Sequence, residues 1–439
     1  MAPSEQKVRE QKTWQKVDQR REACVRFLQE LVRASEGGEE ATQQRVADKY
    51  GTLGCGVDLI RYDPGSLPIK HEFASQRLID ASERTAVVGT LKGAGAGRSI
   101  LFWAHPDSSP VTGTENWEHG PFSGDVENGR LYGWGAADDL QGVAITACAL
   151  EAVLAAGFEP AGDLILASTP SKQHARGIVA VLERGHTADA AVYLHPAESG
   201  MGLRDIKAVT SGALDFRITV PGRLPDTMEP GHAALFHLAV NPIDTAWVVH
   251  QALQDLAEKR AGEVHHPVLE EAVGRATNLG VTHIHCGDES RLSRTSPECV
   301  LAGSIIFPPG ENGEDVQAQI IEAVQAAADS DAWLSENPPQ IEWLRGVSKG
   351  TEVPVDHPLY QTVHQAILAV TGSEPRNYPL HAGSEIRSPT LQKGIPAVGF
   401  GPLAGNSTQI GGHDEWVDVN DYIRAIKVVA SIILDWCSV

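Results

Sequence analysis

Sulfur and aromatic residues are scarce in this chain, with 3 methionines, 6 cysteines and 6 % aromatic residues among 439. The cysteines stand at 24, 55, 148, 286, 299 and 437, and no two form a CxxC pair. So sparse and scattered a set excludes a disulfide framework of the kind that staples small secreted domains. Basic residues are also short, 36 Lys and Arg against 57 Asp and Glu, for a formal net charge of −21. An acidic body repels phosphate backbones, so neither nucleic acid nor an anionic membrane is an expected partner. A small anionic substrate stays open, because a local basic pocket can sit on an acidic protein. No run of about 18 apolar residues occurs, which leaves no membrane-spanning helix to expect. The opening stretch MAPSEQKVREQKTWQKVDQRREA is polar and lacks the apolar segment of a secretory signal. The expectation is a cytoplasmic protein.

What is present reads as a large globular chain. At roughly 100–200 residues per domain the length suggests two domains or three. Residues 11–35 carry Val17, Cys24, Phe27, Leu28, Leu31 and Val32 at helical spacing, and a second helix is expected over 40–50. Short apolar strands follow at 57–62, 85–91 and 99–104, and the last, SILFWA, is apolar almost throughout, as a strand buried on both faces would be. Helix 142–156, strand 163–169, helix 176–185 and strand 190–195 continue an α/β alternation. After about residue 210 the pattern changes to strand 214–220, helix 243–260, strands 281–286 and 300–307 and helix 314–328, the order of a small α+β unit. Helix 357–371, strand 397–399 and helix 420–436 return to α/β character. The expected organisation is a catalytic domain over 1–211, an inserted α+β domain over 212–345, and the rest of the catalytic domain over 346–439.

In α/β sheets functional residues collect beyond the carboxyl ends of the strands. His105-Pro106-Asp107 follows strand 99–104. There Asp107 would hold the second nitrogen of a metal-binding His105 and fix its tautomer. Asp138-Asp139 lies in the glycine-rich GWGAADDLQG before a helix, and His195-Pro196 follows strand 190–194. Late in the chain comes Gly411-Gly412-His413-Asp414-Glu415. One His-x-Asp among 17 histidines carries little, and Asp-Asp in a turn is usually a helix cap. The joint order carries more. Nitrogen and oxygen ligands from several strand ends, with a carboxylate presented at a helix start, are what a divalent metal needs.

The stretch HPDSSPVTGTENWEHGPFSGDVENGRLYGWGAADDLQG (105–142) resembles the family of acetylornithine deacetylase, succinyl-diaminopimelate desuccinylase, carnosinase and carboxypeptidase G, through His105, Asp107, Trp117, Pro121, Phe122 and GRLYGWGAAD ending in Asp138. The resemblance extends to GSEIRSPTLQKGIPAVGFGP (383–402) and HDEW (413–416), most of the chain. It implies an α/β metallopeptidase-type catalytic domain, a mixed sheet flanked by helices, with an inserted α+β lid and dimerisation domain and hence a homodimer. It also implies one metal site at His105, Asp138 and the position of His195, where the family has a carboxylate, and a second at Asp138, a Glu-Glu pair and the position of His413.

The chain departs from that pattern where the Glu-Glu pair should follow strand 163–169. The text is TPSKQHARG, which places Ser171 and Lys172 on the pair. A protonated lysine cannot ligate a metal and repels one. The expectation is therefore one divalent ion per chain, zinc or manganese, at His105, Asp138 and His195. The resemblance makes the chain a metal-dependent C–N hydrolase of a small carboxylate-bearing molecule, and the missing base argues against standard peptide cleavage. An activated substrate suits such a site, as in the hydrolytic deamination of an aromatic amine such as 5-nitroanthranilate. The alternative is an inactive family member that binds a small molecule. Asp107, Lys172, Asp139 and Glu415 are the expected catalytic residues, with His174 and His413 as further proton carriers. Arg387, Ser384 and His413 are expected to bind substrate, Arg387 through a bidentate contact to a carboxylate. Neither His232 nor His237 fits the family's trans-acting histidine cleanly.

Overall fold

The structure is a computed structural model. It describes residues 3–438 apart from 73–78, 80, 81, 107–109, 171–173, 197, 198, 380–382 and 406–413. Its centre is a mixed six-stranded sheet. Ala397–Phe400, Ala190–Leu194, Ile100–Ala104 and Leu164–Ser168 run parallel, and Arg84–Leu91 and Gly56–Tyr62 add an antiparallel edge. Alternation along one strand explains why both faces are covered. Ile100, Phe102 and Ala104 enter one hydrophobic core, while Leu101 and Trp103 enter another on the opposite face. The first core is closed by helices Arg21–Ala34, Glu39–Thr52, Gln141–Ala155, Pro358–Thr371 and Val419–Trp436, and the second by Arg176–Glu183. An α/β fold with helices on both faces of a mixed sheet is therefore what the chain adopts.

The helix expected over 11–35 is two helices, Pro3–Gln19 and Arg21–Ala34, that break at Arg20. Both halves keep amphipathic spacing, so periodicity alone does not reveal the break. Arg20 turns aside to pair with Glu151 of helix Gln141–Ala155.

A second, fully antiparallel sheet runs in the order Asn278–Cys286, Glu298–Phe307, Gly212–Pro221, Gln340–Trp343. Its inward residues, among them Phe216, Ile218, Leu301 and Ile305, pack with Val249 and Leu253 of helix Pro242–Glu263 and with Val316 and Ile320 of helix Gly313–Ser330. Glu298–Phe307 alternates buried and partly exposed along its length, the mark of a sheet covered on one face. Two segments cross between the sheets and pair with each other, Thr351 opposite Thr210 and Glu352 opposite Val209. Among the described residues no helix is long and apolar enough to cross a membrane.

Candidate metal centre

Topology sets two histidines side by side. Strand Ile100–Ala104 lies directly between Leu164–Ser168 and Ala190–Leu194. His105 and His195 are the residues immediately past two adjacent parallel strands, whose axes are about 4.8 Å apart. Asp138 arrives from the turn ahead of helix Gln141–Ala155. Gly142 permits that approach: a Cβ there would lie 2.2 Å from the carbonyl oxygen of Leu194. With no side chain, the first turn of the helix rests against the strand that ends in His195.

The result is a convergence of three ligand atoms. Asp138 Oδ1 lies 3.8 Å from His105 Nε2 and 3.3 Å from His195 Nε2. Atoms held about 2.0–2.1 Å from a tetrahedral ion are roughly 3.4 Å from one another, so these spacings fit a shared divalent cation. The tautomers agree. His195 Nδ1 donates to the Pro196 carbonyl at 2.8 Å, and His105 Nδ1 donates to Asp139 Oδ1 at 2.8 Å. With a cation between them, both imidazoles would be neutral and would present their Nε2 lone pairs to it beside Asp138 Oδ1. The local field has the same sign. Burial opposes charge on His105, yet the carboxylates of Asp139, Glu385 and Asp138 outweigh it and raise its pKa to about 10. Tyr193 is buried beside the site, stacked on Trp103 with centroids 5.1 Å apart, and burial together with the same carboxylates raises its pKa.

Asp139 lies in the same cluster, with ligand atoms of His105, Asp138 and Asp139 all within 4.8 Å. Its Oδ1, however, accepts from both the ring and the backbone N–H of His105, the latter at 3.1 Å. That oxygen is thus already engaged, whereas His195 Nε2 lies 3.3 Å from Asp138 Oδ1. Asp139 was expected to move protons. Here its Oδ1 takes the Nδ1–H of His105, a contact the sequence reading gave to Asp107.

Glu415 is likewise placed as an anchor. It is fully buried, and its carboxylate accepts from the backbone N–H of Gly135 at 2.9 Å, Ala137 at 2.9 Å and Asp138 at 3.1 Å. Three peptide donors converge on it because the glycine-rich turn exposes them, which ties Glu415 to the turn that carries Asp138. Asp414 does similar work one residue earlier. It accepts from Glu118 N, His119 N and His119 Nδ1 at 2.8, 2.9 and 2.5 Å, and these bonds lower its pKa against the effect of burial. His174, also expected to carry protons, is buried and accepts the Arg176 N–H on Nδ1 at 3.3 Å.

Ser384 is buried. With Tyr193, His195, Lys207 and Tyr378 it lines a cavity of about 10 Å³, close to the volume one water centre needs. Arg387 is buried too, and its pKa falls to about 9 through burial and the nearby Arg345. Its partners include oxygens of Thr210, Ser348 and Lys349, on the segments that join the two sheets, and the Ser384 carbonyl. Asp107, Lys172 and His413 lie outside the described residues. Reading the residue pattern missed Glu385, which accepts from Trp103 Nε1 at 3.4 Å and bears on His105. Its place between Ser384 and Arg387, both singled out in the sequence, is the signal that was available. A larger groove, about 840 Å³, runs between helices Pro242–Glu263 and Gly313–Ser330 and includes none of these residues.

The sequence profile of Peptidase family M20/M25/M40 matches residues 101–435, three quarters of the chain. The chain belongs to that family. Two similar proteins are N-formyl-4-amino-5-aminomethyl-2-methylpyrimidine deformylases. The one from Halalkalibacterium halodurans is 25 % identical over 96 % of this chain and 96 % of its own, and the one from Bacillus subtilis is 26 % identical over 80 % and 83 %. Among solved structures, aminopeptidase PepT from Bacillus cereus superposes with a TM-score of 0.68 at 16 % identity, covering 95 % of this chain and 99 % of its own. At that identity the likeness speaks for the fold alone. Family membership makes this chain a metal-dependent hydrolase.

Proposed function

We propose that the chain hydrolyses a C–N bond in a small carboxylate-bearing molecule, with one divalent ion, zinc or manganese, held by His105 Nε2, Asp138 Oδ1 and His195 Nε2. The observation that carries this reading is the convergence of those three atoms with both Nδ1 positions already engaged. A divalent ion there lowers the pKa of water toward neutrality and polarises the electrophile. Asp139 fixes the His105 tautomer, Glu415 fixes the turn that presents Asp138, and Gly142 sets the distance to His195. With Asp139 and Glu415 occupied in this way, proton transfer falls to Lys172 or His413. Two substrate types suit a site without the family's glutamate pair. One, outside the carboxylate-bearing class, is an N-formylated aminomethylpyrimidine, because the two deformylases named above align over most of the chain. The other, which we favour, is an amino-aromatic acid such as 5-nitroanthranilate, whose ring is already activated toward attack.

The test is elemental analysis of the purified protein after mild dialysis, joined to ammonia and formate release from the two substrates. One ion per chain with ammonia release supports the full reading. Formate release in its place keeps the hydrolase and corrects the substrate. Two ions per chain would refute the single-metal site. A metal-loaded protein that binds these molecules and hydrolyses neither them nor a panel of N-acyl amines would be a binding protein.

A further inference from the structure

The two sheets are joined by only two crossing segments, and these run antiparallel to each other. Thr210 pairs with Thr351, and Ala213 with Ser348. Thr210 and Ser348 are each 1 % exposed, so the ribbon is buried where it leaves the six-stranded sheet. Arg387 lies against both strands of it. Its Nη2 donates to Thr210 Oγ1 at 2.8 Å on the outgoing segment. Its Nη1 donates to Ser348 Oγ and, at 3.4 Å, to Lys349 O on the returning one. The third contact points home: Nε donates to Ser384 O at 3.1 Å, and Ser384 N itself donates to Thr210 Oγ1 at 3.2 Å. Arg387 follows Ile386, which is buried in the core with Trp103 and Tyr193. The guanidinium is thus rooted in the body that carries the metal centre and forks across the only covalent links to the second sheet.

We propose that Arg387 is a positioning residue that fixes the angle of the second sheet relative to His105, Asp138 and His195. A planar fork with several donors suits the task. A lysine, with one ammonium, cannot span Thr210, Ser348 and Ser384 in fixed geometry. This differs from the expected contact between Arg387 and a substrate carboxylate, and it rests on the hydrolase reading only for its kinetic consequence.

The test compares Arg387→Lys and the double variant Thr210→Val/Ser348→Ala with wild type, all loaded with metal. Hydrogen exchange is followed by mass spectrometry. Kinetics use the N-formyl aminomethylpyrimidine, which has no carboxylate. In both variants the amides of 209–215 and 344–352 should exchange at least ~10-fold faster while strands 100–104, 164–168 and 190–194 keep their protection. Turnover should fall ~10–100-fold with KM within ~3-fold of wild type, the signature of misplacement rather than lost ground-state binding. The double variant keeps Arg387 and so guards against simple misfolding of a protein that has lost it. Exchange at both crossings equal to wild type in Arg387→Lys would overturn the proposal, as would acceleration spread evenly over the chain. If wild type does not turn over the formamide, the kinetics are read on the amino-aromatic acid instead, and the exchange result still decides the role of Arg387.

Discussion

Replacing Glu415 with glutamine tests the anchor most directly, because it keeps the shape and removes the charge. The glutamine carbonyl can occupy the place of Oε1 and accept from Ala137 and Asp138. Its NH2 then faces the Gly135 N–H that Oε2 now receives at 2.9 Å. Two surviving bonds lose their ionic acceptor, at roughly 1 kcal/mol each, and one buried donor is stranded at about 1–3 kcal/mol. The sum is about 4 kcal/mol at a fully buried site. The turn can relieve part of it by moving, which carries Asp138 away from the two histidines. Metal affinity, read by competition with a chromophoric chelator, should therefore fall about 10–100-fold, the usual cost of losing an outer hydrogen-bonding partner. The thermal midpoint should fall in the metal-free protein as well, since the strain does not depend on the ion. Glu415→Gln with wild-type affinity and an unchanged midpoint refutes the anchor. If kcat were lost while both stayed intact, Glu415 would return to the reaction as a proton carrier.

Four further outcomes follow from the same geometry. His195→Ala removes a ligand while leaving the strand intact, so bound metal measured by elemental analysis should drop below half occupancy at micromolar protein; full occupancy would move the ion to Asp139. Asp139→Asn leaves the His105 ring without its anionic acceptor and should cost about 10–100-fold in metal affinity, and wild-type affinity would show that Asp107 suffices. Gly142→Ala forces a methyl to within 2.2 Å of the Leu194 carbonyl. It should cost about 1–3 kcal/mol in denaturant unfolding and weaken metal binding, whereas unchanged values would mean that the helix shifts freely. Lys172→Ala should lower kcat/KM by ~10²-fold with metal content unchanged, and near wild-type turnover would leave the lysine a passive replacement.

The parts of this protein that were legible in the sequence are those in which one strand or helix states its own environment. SILFWA announces a strand buried on both faces, and Ile100–Ala104 is that strand, flanked by Leu164–Ser168 and Ala190–Leu194. His105 and His195 follow from it, since a residue just past a parallel strand has few places to go. Roles that depend on which nitrogen or oxygen faces which partner were not legible. Asp139 and Glu415 are carboxylates close to a metal site, and the residue type alone fits a proton carrier and an anchor equally well. The difference lies in the donors around them. Asp139 meets the Nδ1 and the backbone N–H of His105, and Glu415 meets three peptide N–H groups of a glycine-rich turn 277–280 residues away in sequence.

The same distinction applies to Arg387. A buried arginine near a small-molecule site suggests a carboxylate clamp, and sequence offers nothing against it. What redirects the reading is that its acceptors include Thr210, Ser348, Lys349 and Ser384, three of them on the two segments that lead to and from the second sheet. Burial, and the charge of the nearby Arg345, lower its pKa to about 9. The charge is therefore retained at a cost in desolvation that a purely local packing role would not require. A rigid fork between two bodies gives that cost a function, since a change in the angle between the sheets must break several of its bonds together.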